Sequence, residues 1–199
     1  MRSITKGQLI SGMTPRDMHK TGIRMGFVPE DRLGMGLIGG MSVRDNVILK
    51  SYRQTRGLLI DRKKAMQTAL NIIVQYNVDC PGSGQVIRRL SGGNIQKILL
   101  GRELEEKPSL IMAAYPVRGL DIGASYAIYD ILNREKARGA GVLMIGEDID
   151  VLMGLCDRIA VMYDGRIMGI LDGRTATKEE IGLMMMGQSR EAAAYDQNC

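Results

Sequence analysis

Tryptophan is absent from this 199-residue chain, phenylalanine occurs once, and aromatic residues make up 4% of it. That scarcity argues against a single-strand nucleic-acid surface, which needs rings on which bases stack. Histidine is also scarce. The single His19 cannot build a histidine-based metal centre alone. The three cysteines, Cys80, Cys156 and Cys199, are scattered, odd in number and free of any Cys-x-x-Cys spacing. They exclude a disulfide scaffold and fit a reducing compartment. No apolar run approaches the roughly 18 residues that span a bilayer. The N-terminus lacks the apolar core of a signal peptide, so any membrane association is expected to be peripheral or through a partner. Charge of one sign is not in large excess: the net charge is +5, which permits an anionic partner without demanding one.

What is present is an ordinary globular composition, 45% hydrophobic and 25% charged. The first forty residues are dense in glycine. Residues 23–29 read as a short strand ended by Pro29, and Thr14-Pro15 reads as the start of a short helix. Residues 42–50 read as a helix capped by Ser42. Residues 61–76 read as a longer one, with Ala65, Ala69, Ile72, Ile73 and Tyr76 near one face. Leu110–Ala114 and residues 142–145 are apolar runs without alternation, the pattern of parallel strands buried on both faces. A helical stretch over 125–138 between them completes a βαβ unit. Arg158–Tyr163 and residues 166–171 flank Asp164-Gly165, a two-residue hairpin signal. A last helix spans 178–186, with Met184, Met185 and Met186 expected to pack inward, and 192–199 read as a frayed tail. The fold class is α/β, with a mostly parallel sheet, an antiparallel edge and a helical insertion near 42–106.

The most specific string is Leu90-Ser91-Gly92-Gly93-Asn94-Ile95-Gln96-Lys97. It stands at the start of a helical pattern in which Ile95, Ile98, Leu99 and Leu104 form the apolar stripe. A serine and two glycines at a helix start make an anion site. The first amides have no intrahelical partner, the dipole adds positive potential, and glycine lets a phosphate approach the backbone.

Leu-Ser-Gly-Gly, a polar residue, then Gln-Lys resembles the signature motif of ATP-binding cassette (ABC) proteins. Val28-Pro29-Glu30-Asp31-Arg32 resembles the Q-loop region in the second cassette of tandem sugar and nucleoside importers. Arg118-Gly119-Leu120-Asp121-Ile122-Gly123-Ala124 resembles their D-loop. The run from Cys156 to Met162, followed by Asp164-Gly165-Arg166, is similar to the family's closing strand pair. The resemblance covers about residues 1–188. It implies a P-loop-NTPase-like ABC nucleotide-binding domain with a helical subdomain over about 42–106 and a flexible tail at 189–199.

Departures from the family pattern shape the expected mechanism. The chain has no Gly-Lys dipeptide and so no G-x-x-x-x-G-K-[ST] phosphate loop. It is expected to begin downstream of that Walker A part. Ala114 stands at the Walker B aspartate position and Tyr115 at the position of the glutamate that polarises the attacking water. Glu147 stands in place of the switch histidine, where a carboxylate would repel a γ-phosphate or else lie solvated. A degenerate Ala-Ala-x-Pro string resembles the nucleoside branch more than the sugar branch. The chain alone is therefore expected to be inactive and to bind no metal.

The resemblance implies that Ser91, Gly92 and Gly93 clamp the γ-phosphate of ATP held by a partner cassette. Asn94 and Gln96 would shape the signature turn, Glu30 would stand in the Q-loop, and Asp121 would couple the two sites. ATP and Mg²⁺ would be shared with that partner. Transmembrane permease subunits and, indirectly, a solute-binding protein are the other implied partners, at the cytoplasmic face of the plasma membrane. The apolar stretch 31–43, with Met35, Leu37, Ile38 and Met41, lies in the family near the groove that receives the membrane subunit. The cations Lys50, Arg53, Arg56, Arg62, Lys63 and Lys64 read as a solvated helical surface. Two competing readings are a DNA-repair or chromosome-structure ATPase, which would bind nucleic acid, and a non-functional remnant. The absence of a long coiled coil after residue 61 and the Pro-Glu-Asp-Arg string favour an importer and no nucleic-acid partner.

Overall fold

The computed structural model describes residues 4–5, 8–9, 12–14, 17, 20–49 and 61–188. Pro15, His19, the cations Lys50, Arg53 and Arg56, and the tail with Cys199 lie outside them; of the helix expected from Pro15, Asp17 and Lys20 are described, and both are helical. The chain divides into two units, Met1–Ile145 and Gly146–Cys199.

In the first unit, β1 (Ile4–Thr5) and β2 (Gln8–Leu9) form a short antiparallel pair. A three-stranded parallel sheet follows, built from β3 (Met25–Val28), β4 (Leu110–Ala114) and β5 (Gly141–Ile145), with β4 in the centre. Between β3 and β4 come a π-helical turn (Arg32–Gly36), α1 (Val43–Ile48), α2 (Arg62–Gln75), a 3-10 turn (Ile87–Arg89) and α3 (Gly92–Leu104). The helix α4 (Ile122–Ala137) connects β4 to β5. It starts three residues before the expected position because Asp121 caps it, its carboxylate accepting the Ala124 N–H at 2.8 Å. Helix α1 ends at Ile48, short of the expected Lys50.

The core joins α2, α3, α4 and one face of the sheet through Ile72, Ile98, Leu99, Leu100, Ile111 and Ile128, all fully buried. The expected burial of the sheet on both faces does not hold among the described residues. Met25, Phe27, Leu143 and Ile145 share the opposite face through the registers Met25↔Leu110 and Phe27↔Met112↔Leu143, and all four are exposed. An unbroken apolar run records that both faces avoid water, but among the described residues of this unit the helices lie against the inner face.

The expected face of α2 is buried at Ala65, Ala69, Ile72 and Tyr76, with Ile73 partly so. Gly101 allows α3 to approach it: a Cβ there would lie 2.5 Å from Ile72 Cγ2. Ser42 caps α1 and pairs reciprocally with Asp45. Its Oγ accepts the Asp45 N–H at 3.2 Å and donates to Asp45 Oδ2 at 2.5 Å. That hydroxyl, and secondarily the charge of Arg44, holds the Asp45 carboxyl below its usual range. A depressed carboxylate adds stability above the ordinary aspartate range and loses it as pH falls through the lowered value. The advantage of the wild type over Ser42→Ala, read as urea midpoints across an acid series, is therefore expected to shrink through that window.

The second unit holds α5 (Ile149–Leu155), the antiparallel pair β6 (Arg158–Tyr163) and β7 (Arg166–Asp172), and α6 (Lys178–Met185). The hairpin turns at Asp164-Gly165, both at positive φ, as the Asp-Gly signal predicts. Its small core is Ile159, Val161, Leu171, Ala176, Ile181 and Met184. The inward packing expected of three methionines holds for Met184 only. Met185 and Met186 are exposed, because one helical face cannot bury three consecutive residues.

Candidate functional site

Ser91 is the N-cap of α3 and has extended backbone geometry. Its Oγ accepts the Asn94 backbone N–H at 3.4 Å and the Asn94 side-chain amide at 3.0 Å. Asn94 Oδ1 accepts the Asp79 N–H at 3.0 Å, and Lys97 Nζ donates to the Asn77 carbonyl at 2.9 Å. Asn94 thus ties the turn to the loop after α2. Gln96 sits differently. It is 1% exposed and its Oε1 has no hydrogen-bond partner, so it faces the protein interior and not a nucleotide outside.

The glycines are needed for a close approach. A Cβ on Gly93 would lie 2.8 Å from Ala124 Cβ, and one on Gly92 would lie 3.3 Å from both Leu120 Cδ2 and Arg32 Nη1. The first turn of α3 therefore lies against the first turn of α4. Two helix N-termini are brought together there, capped by Ser91 and Asp121. Their dipoles add positive potential at one place, which suits an anion. Ser91 is exposed there, Gly92 half-buried and Gly93 buried.

The neighbouring loop carries the other singled-out residues of this unit. Ala114 ends β4, paired with Ile145. Tyr115 follows at φ 47, in the left-handed region, with its N–H donating to the Ile145 carbonyl at 2.8 Å. The Arg118 guanidinium lies over the Tyr115 ring, 5.6 Å from its centroid, and pairs with the Glu30 carboxylate. Arg32 Nη2 donates to the Arg118 carbonyl. Partial burial lowers the pKa of Arg32, though a guanidinium stays charged at neutral pH. Glu147 belongs to the second unit, where it is exposed just before α5.

Magnesium does not fit the donor set at positions 114 and 115. Ala114 has no side-chain oxygen, and the Tyr115 phenol is a poor ligand beside a guanidinium. Among the described residues no three histidine, cysteine or acidic side chains gather as a metal site. No described helix is long and apolar enough to cross a membrane.

Sequence reasoning singled out Arg32 and Arg118 only as letters within motifs, and it missed Arg102 and Glu103 altogether. Glu103, 3% exposed, accepts the Phe27 N–H through Oε2 at 2.9 Å and pairs with Arg102 at 2.9 Å. Arg102 Nη2 reaches the Gly36 carbonyl at 2.8 Å. The available signal was two adjacent opposite charges on the apolar side of a buried helix.

No family model matches the chain. It is 36% identical over 190 residues to the guanosine import ATP-binding protein NupO of Bacillus subtilis, covering 94% of this chain and 37% of that protein. It is 37% identical over 187 residues to the ribose import ATP-binding protein RbsA 1 of Rubrobacter xylanophilus, covering 92% and 37%. Against the arabinose import ATP-binding protein AraG of Yersinia pestis it is 39% identical over 176 residues, covering 87% and 33%. The chain thus spans about a third of the length of these curated relatives. Its backbone is similar to an ATP-binding cassette solved as a dimer in a post-hydrolysis state with ADP and Pi, at 21% identity and a TM-score of 0.71, covering 88% of this chain and 74% of that one. It is also similar to a nucleotide-free cassette from an ABC transporter, at 20% identity and a TM-score of 0.72, covering 96% and 75%. With relatives more than a third identical over nearly all of its length, and a backbone that follows solved cassettes, the chain belongs to the family of ABC ATP-binding proteins.

Proposed function

We propose that this chain is part of the ATP-binding subunit of an importer for nucleosides or sugars. It offers its signature turn to ATP held by a partner cassette. The observation that carries this reading is an asymmetry. The turn at Ser91, Gly92 and Gly93 is capped, glycine-lined and backed by two helix N-termini, whereas positions 114 and 115 hold alanine and an arginine-covered tyrosine. The first arrangement binds an anion. The second offers no carboxylate to hold Mg²⁺ or to polarise the attacking water. ATP and Mg²⁺ are then shared, with the phosphate-loop lysine, metal carboxylate and base coming from the partner. Asp121, fixed as the cap of α4 against the signature turn, is placed to transmit the state of one site to the other. Coupling to uptake requires permease subunits, fed by a solute-binding protein, with this subunit held peripherally at the cytoplasmic face. The relatives' guanosine, ribose and arabinose transport supports the solute class.

The test is MgATP turnover by the purified chain alone and after mixing with a phosphate-loop cassette taken from the ribose-import relative. Negligible turnover alone and clear stimulation of the partner are expected. Turnover by the chain alone would overturn the reading, and so would an unstimulated partner. A cooperative melt separates this reading from that of an unfolded remnant.

A further inference from the structure

We propose that Arg118 is the positioning residue of the signature turn and that the Tyr115 ring is the platform that holds it there. The proposal rests on the trans-acting reading above and assigns a role to the residue standing at the lost hydrolytic position. Three contacts and one close approach form a connected path. The Arg118 guanidinium lies over the Tyr115 ring and pairs with Glu30. Its main-chain carbonyl receives Arg32 Nη2. The other terminal nitrogen of Arg32 lies where a Cβ on Gly92 would be 3.3 Å away, beside Leu120. Arg32 therefore lies between the Arg118 loop and the first residue of α3.

The platform is itself anchored. Tyr115 is held at φ 47 by its own N–H to Ile145, and its carbonyl accepts the Arg118 N–H at 3.1 Å. The backbone thus fixes both the ring and the residue that covers it. The face of an aromatic ring attracts a guanidinium without taking it from a carboxylate, so Arg118 can serve Tyr115 and Glu30 together. A carboxylate at position 115 would compete with Glu30 for the same fork and draw Arg118 inward. Restoring the family's acid by Tyr115→Glu is therefore expected to damage the signature turn and not to revive hydrolysis.

Two readouts test this. In the isolated full chain, the ¹H–¹⁵N amide signals of Gly92 and Gly93 report the signature turn directly. Arg118→Ala, Tyr115→Leu and Tyr115→Glu are expected to move both signals, whereas Tyr115→Phe, which keeps the ring, leaves them in place. Thermal melts confirm that each variant is folded. In the mixture with the phosphate-loop cassette, the three disruptive variants are expected to lower stimulation about tenfold and Tyr115→Phe to retain it. Unmoved signals in Tyr115→Leu would overturn the proposal, as would signals displaced equally in Tyr115→Phe. If the glycine signals respond as expected but the wild-type chain fails to stimulate the partner, the trans-acting reading fails and the positioning role stands.

Discussion

Replacing Gly93 by alanine is expected to cut the stimulation of a partner phosphate-loop cassette about a hundredfold while shifting the thermal midpoint by only a few degrees. The two effects separate because opposing terms act on stability. Alanine favours the helical backbone by about 1 kcal/mol over glycine. The new methyl, however, would start 2.8 Å from Ala124 Cβ, and relieving such an overlap costs about 1–3 kcal/mol. The net loss is small. Relief requires the first turn of α3 to move away from the first turn of α4, by a distance comparable to the overlap. Ser91 and the amides of Gly92 and Gly93 move with it, away from the place where the proposed function puts the partner's γ-phosphate. Anion binding at a helix start depends on amide direction, so the geometric loss is felt in full. Steady-state ATPase assays of the mixed cassettes, beside melts of the chain alone, check both parts. Stimulation equal to wild type would show that the α3–α4 approach has no part in presenting the signature.

Replacing Glu103 by leucine is expected to give the largest stability loss in the chain, about 3–5 kcal/mol, or a midpoint lowered on the order of 10 °C. The Glu103 side chain is 1% exposed and that of Arg102 is 8% exposed. Removing the carboxylate leaves a buried guanidinium with the Gly36 carbonyl as its acceptor among the described residues, and the Phe27 N–H without its acceptor. The loss is of the same order as the whole stability of a typical domain. Removing the guanidinium as well, in Arg102→Met with Glu103→Leu, is expected to recover part of it. A buried pair exchanged for apolar volume is often close to neutral, though the Phe27 amide stays unpaired. Urea unfolding of the single and double variants measures the difference. A double variant no more stable than Glu103→Leu would mean that the Phe27 and Gly36 hydrogen bonds, and not charge burial, dominate.

Much of the local structure was legible in the residue order. Ser42, Asp61, Ser91 and Thr177 each cap a helix whose start could be read from a short polar side chain before an apolar period. Asp164-Gly165 turns its hairpin because both positions need positive φ. The start of α4 was misplaced because Ile122 and Gly123 read as loop, when Asp121 was already its cap. The two-sided burial of the sheet was over-read. Apolar composition reports what a strand avoids, and the covering elements are set by other parts of the chain.

The sequence by itself determined the family, the order of motifs and the lack of a carboxylate at 114 and 115, because residue identity decides which atoms can donate, accept or bind. Only the tertiary structure decided that Gly93 meets Ala124, that Arg118 lies over Tyr115 while holding Arg32 and Glu30, and that Gln96 points inward. These pairs are brought together by packing across as many as 88 residues of separation, and no local pattern encodes which distant side chain will fill a given gap.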